Sequence, residues 1–202
     1  MIRLSEQWKH ADLPDKQLQL NRVQLRGKHS YPPHWVAFID VMNSISCDDL
    51  TVYDIGCGTG STYKLLVDNN IRTKYVGLDF SEAMIQSARG AWPSAEFHVD
   101  DFMNTKLIFK GQIVYCNGLL DILYDGIGAL NTILKFGAKY VILNRLNFSD
   151  KQNIETYIAY DTIQCIRYTF CRSEFEATVR DNKYQMLSNT SSCLVLEKSD
   201  EV

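Results

Sequence analysis

The chain has 202 residues, enough for one domain with a full core and too few for two comfortable ones. An apolar fraction of 46% and a charged fraction of 22% exclude a disordered chain. A net charge of −3 argues against a broad basic face for nucleic acid, and no apolar run approaches the roughly 18 residues of a membrane span.

Residues 1–30 are polar and show no clear element. The start, "MIRLSEQWKHADLPDK", lacks a signal-peptide pattern, and neither end carries a lipidation motif. The six cysteines form no C-x-x-C pair. They read as reduced, mostly buried thiols of a cytoplasmic protein. "YPPHWVAFIDVMNSIS" then gives a helix with Pro33 in its first turn and Trp35, Phe38, Ile39, Met42 and Ile45 on one face.

From Leu50 strands and helices alternate. "LTVYDI" is a strand and "STYKLLVDN" a helix. "KYVGLDF" is the second strand, and "SEAMIQSARG" a helix with Ser81 as N-cap and Gly90 as its stop. "AEFHVDD" and "GQIVYCNG" are the third and fourth strands. "DGIGALNTILKFG" is a helix and "AKYVILNRL" the fifth strand. This rhythm predicts right-handed crossovers and a doubly wound, mostly parallel α/β sheet. It breaks after Leu146. Ile154–Tyr160 and Thr162–Phe170 read as an inserted extended segment, "CRSEFEATVRDN" as a helix, and "YQMLSNTSSCLVLEK" as a C-terminal strand pair around a polar turn. No repeat or linker divides the chain, so residues 1–202 are expected to be a single domain.

The first strand runs into Asp54-Ile55-Gly56-Cys57-Gly58-Thr59-Gly60. In an open parallel sheet such a turn faces the ligand site beyond the strands' carboxyl ends. The dinucleotide spacing G-x-G-x-x-G fails, because its third glycine would fall at Ser61 or at Tyr63. No G-K-[ST] follows, so a P-loop is excluded too. The spacing present is acid-x-G-x-G-x-G. With "YVGLDFSEAMIQSAR", "FHVDDF" and "QIVYCNGLLDIL", it makes the chain resemble the class I S-adenosylmethionine-dependent methyltransferases over about residues 50–146.

That resemblance implies a Rossmann-like fold with a seven-stranded sheet and S-adenosylmethionine as cofactor, leaving as S-adenosylhomocysteine. It implies that Asp54, Gly56, Cys57, Gly58 and Gly60 hold the ribose and methionine portion. Asp79 would accept hydrogen bonds from the ribose hydroxyls, and Phe80 would line the adenine. Asp100 or Asp101 would accept from the adenine amino group, with Phe102 beside it. Asn117, Gly118 and Leu119 would lie beneath the sulfonium. The implied reaction is an in-line methyl transfer.

The acceptor is less legible. The fourth strand ends in "CNGLLD", without the prolines of the [DN]-P-P-[YF] pattern of enzymes that methylate adenine or glutamine nitrogen. A small-molecule or sugar-containing acceptor, methylated at oxygen, is expected; RNA or protein methylation and non-catalytic cofactor binding are the alternatives. His34 and Asp121 are the candidate bases. Tyr31, Asn144, Arg145 and Tyr160 are candidate acceptor contacts, with residues 1–46 as a helical arm or lid and 147–170 as a substrate cover. The His and Cys spacings suggest no metal site. No membrane association is expected, and the protein is expected to be a monomer or homodimer.

Overall fold

The structure, a computed structural model, describes residues 12–27, 31–45, 47, 49–110, 112–159, 163–190 and 193–199. Two helices, α1 (Leu13–Leu25) and α2 (Pro33–Ser44), precede the first strand. Then β1 (Thr51–Ile55), α3 (Ser61–Asp68), β2 (Lys74–Asp79), α4 (Glu82–Ala91) and β3 (Glu96–Val99) alternate. They are followed by β4 (Ile113–Asn117), α5 (Gly126–Lys135) and β5 (Tyr140–Asn144). The chain closes with β6 (Asn147–Ser149), β7 (Asn153–Ala159), β8 (Ile163–Cys171), α6 (Arg172–Asp181), β9 (Tyr184–Asn189) and β10 (Cys193–Lys198).

The main sheet has seven strands in the order β3-β2-β1-β4-β5-β10-β9. The first five are parallel, and β10 runs antiparallel to both β5 and β9. The strands carry near-continuous apolar runs because helices cover both faces. Their side chains alternate between the two faces with period two. Val114, Cys116, Val141, Leu143, Leu194 and Leu196 pack towards α5 and α6, in the core of Leu130, Ile133, Leu134, Phe175 and Val179. Ile113, Tyr115, Tyr140, Ile142, Cys193 and Val195 face the core of Trp35, Phe38, Met42, Leu65, Leu66 and Ile85. Phe38 stacks on Tyr115 at 4.1 Å between ring centroids, which seats α2 on the sheet.

The inserted hairpin is present as β7 and β8, paired antiparallel from Asn153↔Thr169 to Ala159↔Ile163. The third strand of that small sheet, β6, pairs parallel with β8; three residues are too short to announce themselves in sequence. Gly90 is not a stop. It lies inside α4, which ends at Ala91 with Trp92 as its C-cap, just before Pro93. Nothing lies near Gly90, so the helix absorbs the glycine at about 1 kcal/mol. Proline is the stronger break. Ser81 does cap α4, accepting from the Met84 amide at 3.4 Å.

Strand order reverses between β1 and β4, since β2 and β3 lie on one side of β1 and β4 and β5 on the other. The crevice at that reversal, beyond the carboxyl ends, is where this class of sheet binds its ligand.

Candidate active site

A cavity of about 620 Å³ opens at that point, within the size range of small-molecule sites. Asp54, Gly56, Cys57, Gly58, Asp79, Phe80, Asp100, Asp101, Phe102, Asn117, Gly118 and Leu119 all line it, as do His34 and Arg145. Gly60 sits one step behind, capping α3 at φ 75°. Gly56 and Gly58 are also left-handed, at 74° and 53°, so the turn curls tightly with no Cβ at either position.

The acids are wired into the backbone. Asp79 accepts from the amides of Gly58 and Ser81, each at 2.9 Å, tying the glycine turn to the end of β2. Burial pushes its carboxyl up despite those two donors. Asp54 is 2% exposed and accepts from the Tyr75 hydroxyl at 2.8 Å. Burial raises its pKa to about 6, against the lowering effect of Tyr75 and Thr62 and with help from the neighbouring Asp79. A cation in the cavity would stabilise both ionised acids.

The two candidates after β3 differ. Asp101 is exposed, and its oxygens accept from the Met103 amide at 3.1 Å and the Asn104 side chain at 2.8 Å, as in a turn. Asp100 is half-buried and accepts from Thr105 Oγ1 at 2.5 Å through Oδ2, leaving Oδ1 without a donor among the described residues.

Two expected acceptor contacts and one candidate base lie behind the wall. Tyr31 and Asn144 are buried outside the lining. Asn144 Nδ2 donates to the His34 carbonyl at 2.8 Å and to the Tyr115 hydroxyl at 2.9 Å, pinning α2 to β5. Asp121 sits in the 3-10 turn Leu120–Ile122, 6% exposed, with Oδ1 unpartnered among the described residues. Burial raises it to about 6, against the pull of Arg145 and Arg167. His34 does reach the cavity, but burial and then Arg145 lower its pKa to about 4. Tyr160 lies outside the described residues.

Asp121 gives a pH-dependent prediction. Its folded-state pKa lies above the unfolded value, so the carboxylate costs stability as pH rises from about 4 to about 6, and the cost persists above. We expect Asp121→Asn to be more stabilising at pH 7.5 than at pH 4, by up to about 3 kcal/mol. Urea melts at both pH values measure it; equal effects would contradict the buried, unpaired carboxylate.

Helix α1 contributes what the sequence pattern missed. Gln17 Oε1 accepts from the Thr59 amide at 2.9 Å, and Asn21 Nδ2 donates to Ser61 Oγ at 2.5 Å. Gln17, Leu20, Asn21 and Gln24 line the cavity. The only signal was Pro14 early in a polar stretch. At the hairpin end, Ile163 and Cys165 of β8 pack with Leu13 of α1 and Met84 of α4. The hairpin and the first helix thus meet in one apolar cluster with α4.

The site fits a cationic, phosphate-free adenosyl ligand. Four acids line the cavity against one arginine, which disfavours a pyrophosphate. Asn117 Oδ1 at the end of β4 is buried with no donor among the described residues, ready to accept from an ammonium group. Among those residues no group of His, Cys, Asp and Glu is placed to hold a metal ion, and no helix is long and apolar enough to cross a membrane.

Fold and site together define an adenosyl-cofactor domain of the Rossmann-like type. Residues 52–135 match the methyltransferase domain family, in keeping with the resemblance of the glycine turn and strand ends to the class I S-adenosylmethionine-dependent methyltransferases. It is 31% identical over 97 residues to a trans-aconitate 2-methyltransferase from Azoarcus sp., covering 48% of this chain and 38% of that protein. It is 26% identical over 126 residues to a malonyl-[acyl-carrier protein] O-methyltransferase from Acetivibrio thermocellus, covering 61% and 44%. The chain thus spans less than half the length of these relatives. In structure it is similar to an S-adenosylmethionine-dependent methyltransferase from Clostridium acetobutylicum, with TM-score 0.64 at 13% identity over 92% of this chain and 99% of that one. It is equally similar, at 0.64 and 17% identity, to an amino pentose methyltransferase from Micromonospora echinaspora with S-adenosylmethionine bound, over 91% and 97%.

Proposed function

We propose that the protein transfers a methyl group from S-adenosylmethionine to a small-molecule acceptor, at oxygen. The observation that carries this reading is one cavity holding, strand end by strand end, the groups the cofactor needs. Asp79 would accept from the ribose hydroxyls and Asp100, through its free Oδ1, from the adenine amino group. Phe80 and Phe102 would flank the ring. Asp54 and Asn117 would face the ammonium end, with the glycine turn beneath the ribose. The name of one sequence relative, trans-aconitate 2-methyltransferase, supports a small acceptor, and that of another, malonyl-[acyl-carrier protein] O-methyltransferase, supports an oxygen target.

When bound, the cofactor supplies a methyl group already activated on a cationic sulfur. The chain's part is placement. Rate comes from holding an acceptor atom about 3–3.5 Å from the methyl carbon in line with the breaking bond. Residues 12–25 and the β7–β8 hairpin would act as cover, excluding water through the contact of Leu13, Met84, Ile163 and Cys165. His34 is neutral at working pH but too weakly basic to take a proton from a sugar hydroxyl. Asp121 is nearer the useful range but sits behind the wall.

The test is transfer of labelled methyl from S-adenosylmethionine into fractionated cell extract. Counts should appear in the small-molecule fraction. Counts in RNA or protein, or cofactor binding with no transfer to any fraction, would overturn the proposal.

A further inference from the structure

Arg145 is the only lysine or arginine in the cavity wall among the described residues. Its side chain is exposed and makes no hydrogen bond or ion pair among the described residues, although the fields of His34, Asp121 and Tyr157 reach it. Its backbone is held at φ 65°, a left-handed conformation unfavourable for a side chain of this size. Asn117 pairs with Asn144 across β4 and β5, so Gly118 and Arg145 leave the sheet side by side. The guanidinium lies on the Gly118 backbone. A Cβ on that glycine would stand 3.0 Å from Nη1 and 3.3 Å from Cζ, so the bare backbone makes room for it. A left-handed backbone that turns the side chain over Gly118, and a guanidinium with no partner among the described residues at the mouth of the cavity, leave its fork available to an anion.

We propose that the acceptor is a carboxylic acid held by Arg145, and that the product is its methyl ester. This rests on the methyltransferase reading above. The step balances without a base. A bond forms between a carboxylate oxygen and the methyl carbon, and the bond from that carbon to sulfur breaks with its electron pair left on sulfur. The carboxylate and sulfonium charges cancel, and no proton moves. The alternatives fit less well. A hydroxyl acceptor needs a base, and His34, at about 4, is a poor one. An ammonium acceptor would bring a further positive charge beside Arg145. A carboxylate is a nucleophile already ionised at neutral pH, and it would sit between the guanidinium, which holds it, and the sulfonium, whose charge it cancels on transfer. Asp121 does not substitute for it, because it makes no ion pair with Arg145 and lies behind the lining.

Two readouts test this. In the first, labelled methyl is transferred to a protein-free metabolite extract and the product is treated with alkali, which releases methanol from a methyl ester. Most of the transferred counts should become volatile. In the second, protein loaded with S-adenosylhomocysteine is passed rapidly through a desalting column, and retained metabolites are identified by mass spectrometry. Carboxylic acids should be enriched. Arg145→Asn, whose residue tolerates left-handed backbone, should lower both signals about 10-fold or more, while the cofactor-induced thermal shift stays unchanged. Arg145→Lys, which keeps the charge and loses the fork, should fall between. Alkali-stable counts, retained metabolites without carboxylates, or equal signals in Arg145→Asn would overturn the inference and leave the methyltransferase reading standing. Failure of wild-type protein to bind S-adenosylhomocysteine, or binding without any transfer, would overturn both.

Discussion

S-adenosylmethionine or S-adenosylhomocysteine at about 100 times its dissociation constant should raise the melting midpoint by about 5–10 °C, and Asp79→Ala should remove most of that rise. The size follows from linkage: such a ligand stabilises the folded state by about 2.7 kcal/mol, and a chain of this length shifts by about 2–4 °C per kcal/mol. Asp79 is the sensitive position because it acts twice. Its two oxygens accept the Gly58 and Ser81 amides, and it lines the cavity at the end of β2, where the ribose would lie. Removing the carboxylate deletes the ribose acceptors and leaves two amides without their partner. The variant's own melting midpoint should therefore fall as well. The readout is the ligand-induced difference within each variant, measured by scanning calorimetry. A full shift in Asp79→Ala would refute the ribose assignment. NAD should give no shift in either protein.

Gly60→Ala should lower the melting midpoint by about 5–20 °C. Gly60 caps α3 at φ 75°, where a side chain costs about 1–2 kcal/mol. Its Cβ would also stand 2.5 and 2.6 Å from the Phe97 ring and 3.1 Å from Trp92. Overpacking of that kind costs about 1–3 kcal/mol more. Together the two terms give about 2–5 kcal/mol. Neither ring can yield easily. Phe97 is buried in the core against Tyr75, and Trp92 Nε1 donates to the Thr59 carbonyl at 2.9 Å. Phe97→Leu in the Gly60→Ala background should recover the packing part of the loss and leave the backbone part. A shift of less than about 2 °C in the single variant would show that the turn is not held as described.

The central sheet was legible because its signals are local and dense. Each parallel strand is a short apolar run between a helix and a turn, and Asp54 to Gly60 carries its ligand chemistry in seven consecutive residues. Every strand-end residue expected at the cofactor lies in or against one cavity, since a strand's end fixes where its last side chain points. The illegible parts depend on tertiary contact. Helix α1 buries only Leu13 and Pro14, and leaves Leu20 and Val23 half-exposed or more. Its role is polar, through Gln17 and Asn21, so no apolar stripe betrays it. Asp121 follows β4 and Asn144 ends β5, positions readable along the chain, but burial behind the wall cannot be read from position. Asp100 and Asp101 are adjacent and alike in sequence. Only the turn that engages Asp101 through Met103 and Asn104 separates them.

The most direct measurement is a crystal structure grown with S-adenosylhomocysteine. The account predicts the adenosyl group across Gly56 and Gly58, its ribose hydroxyls on the Asp79 carboxylate and its adenine between Phe80 and Phe102, with the amino end reaching Asn117. An empty crevice at saturating ligand, or the ligand bound away from the β1–β4 reversal, would contradict it.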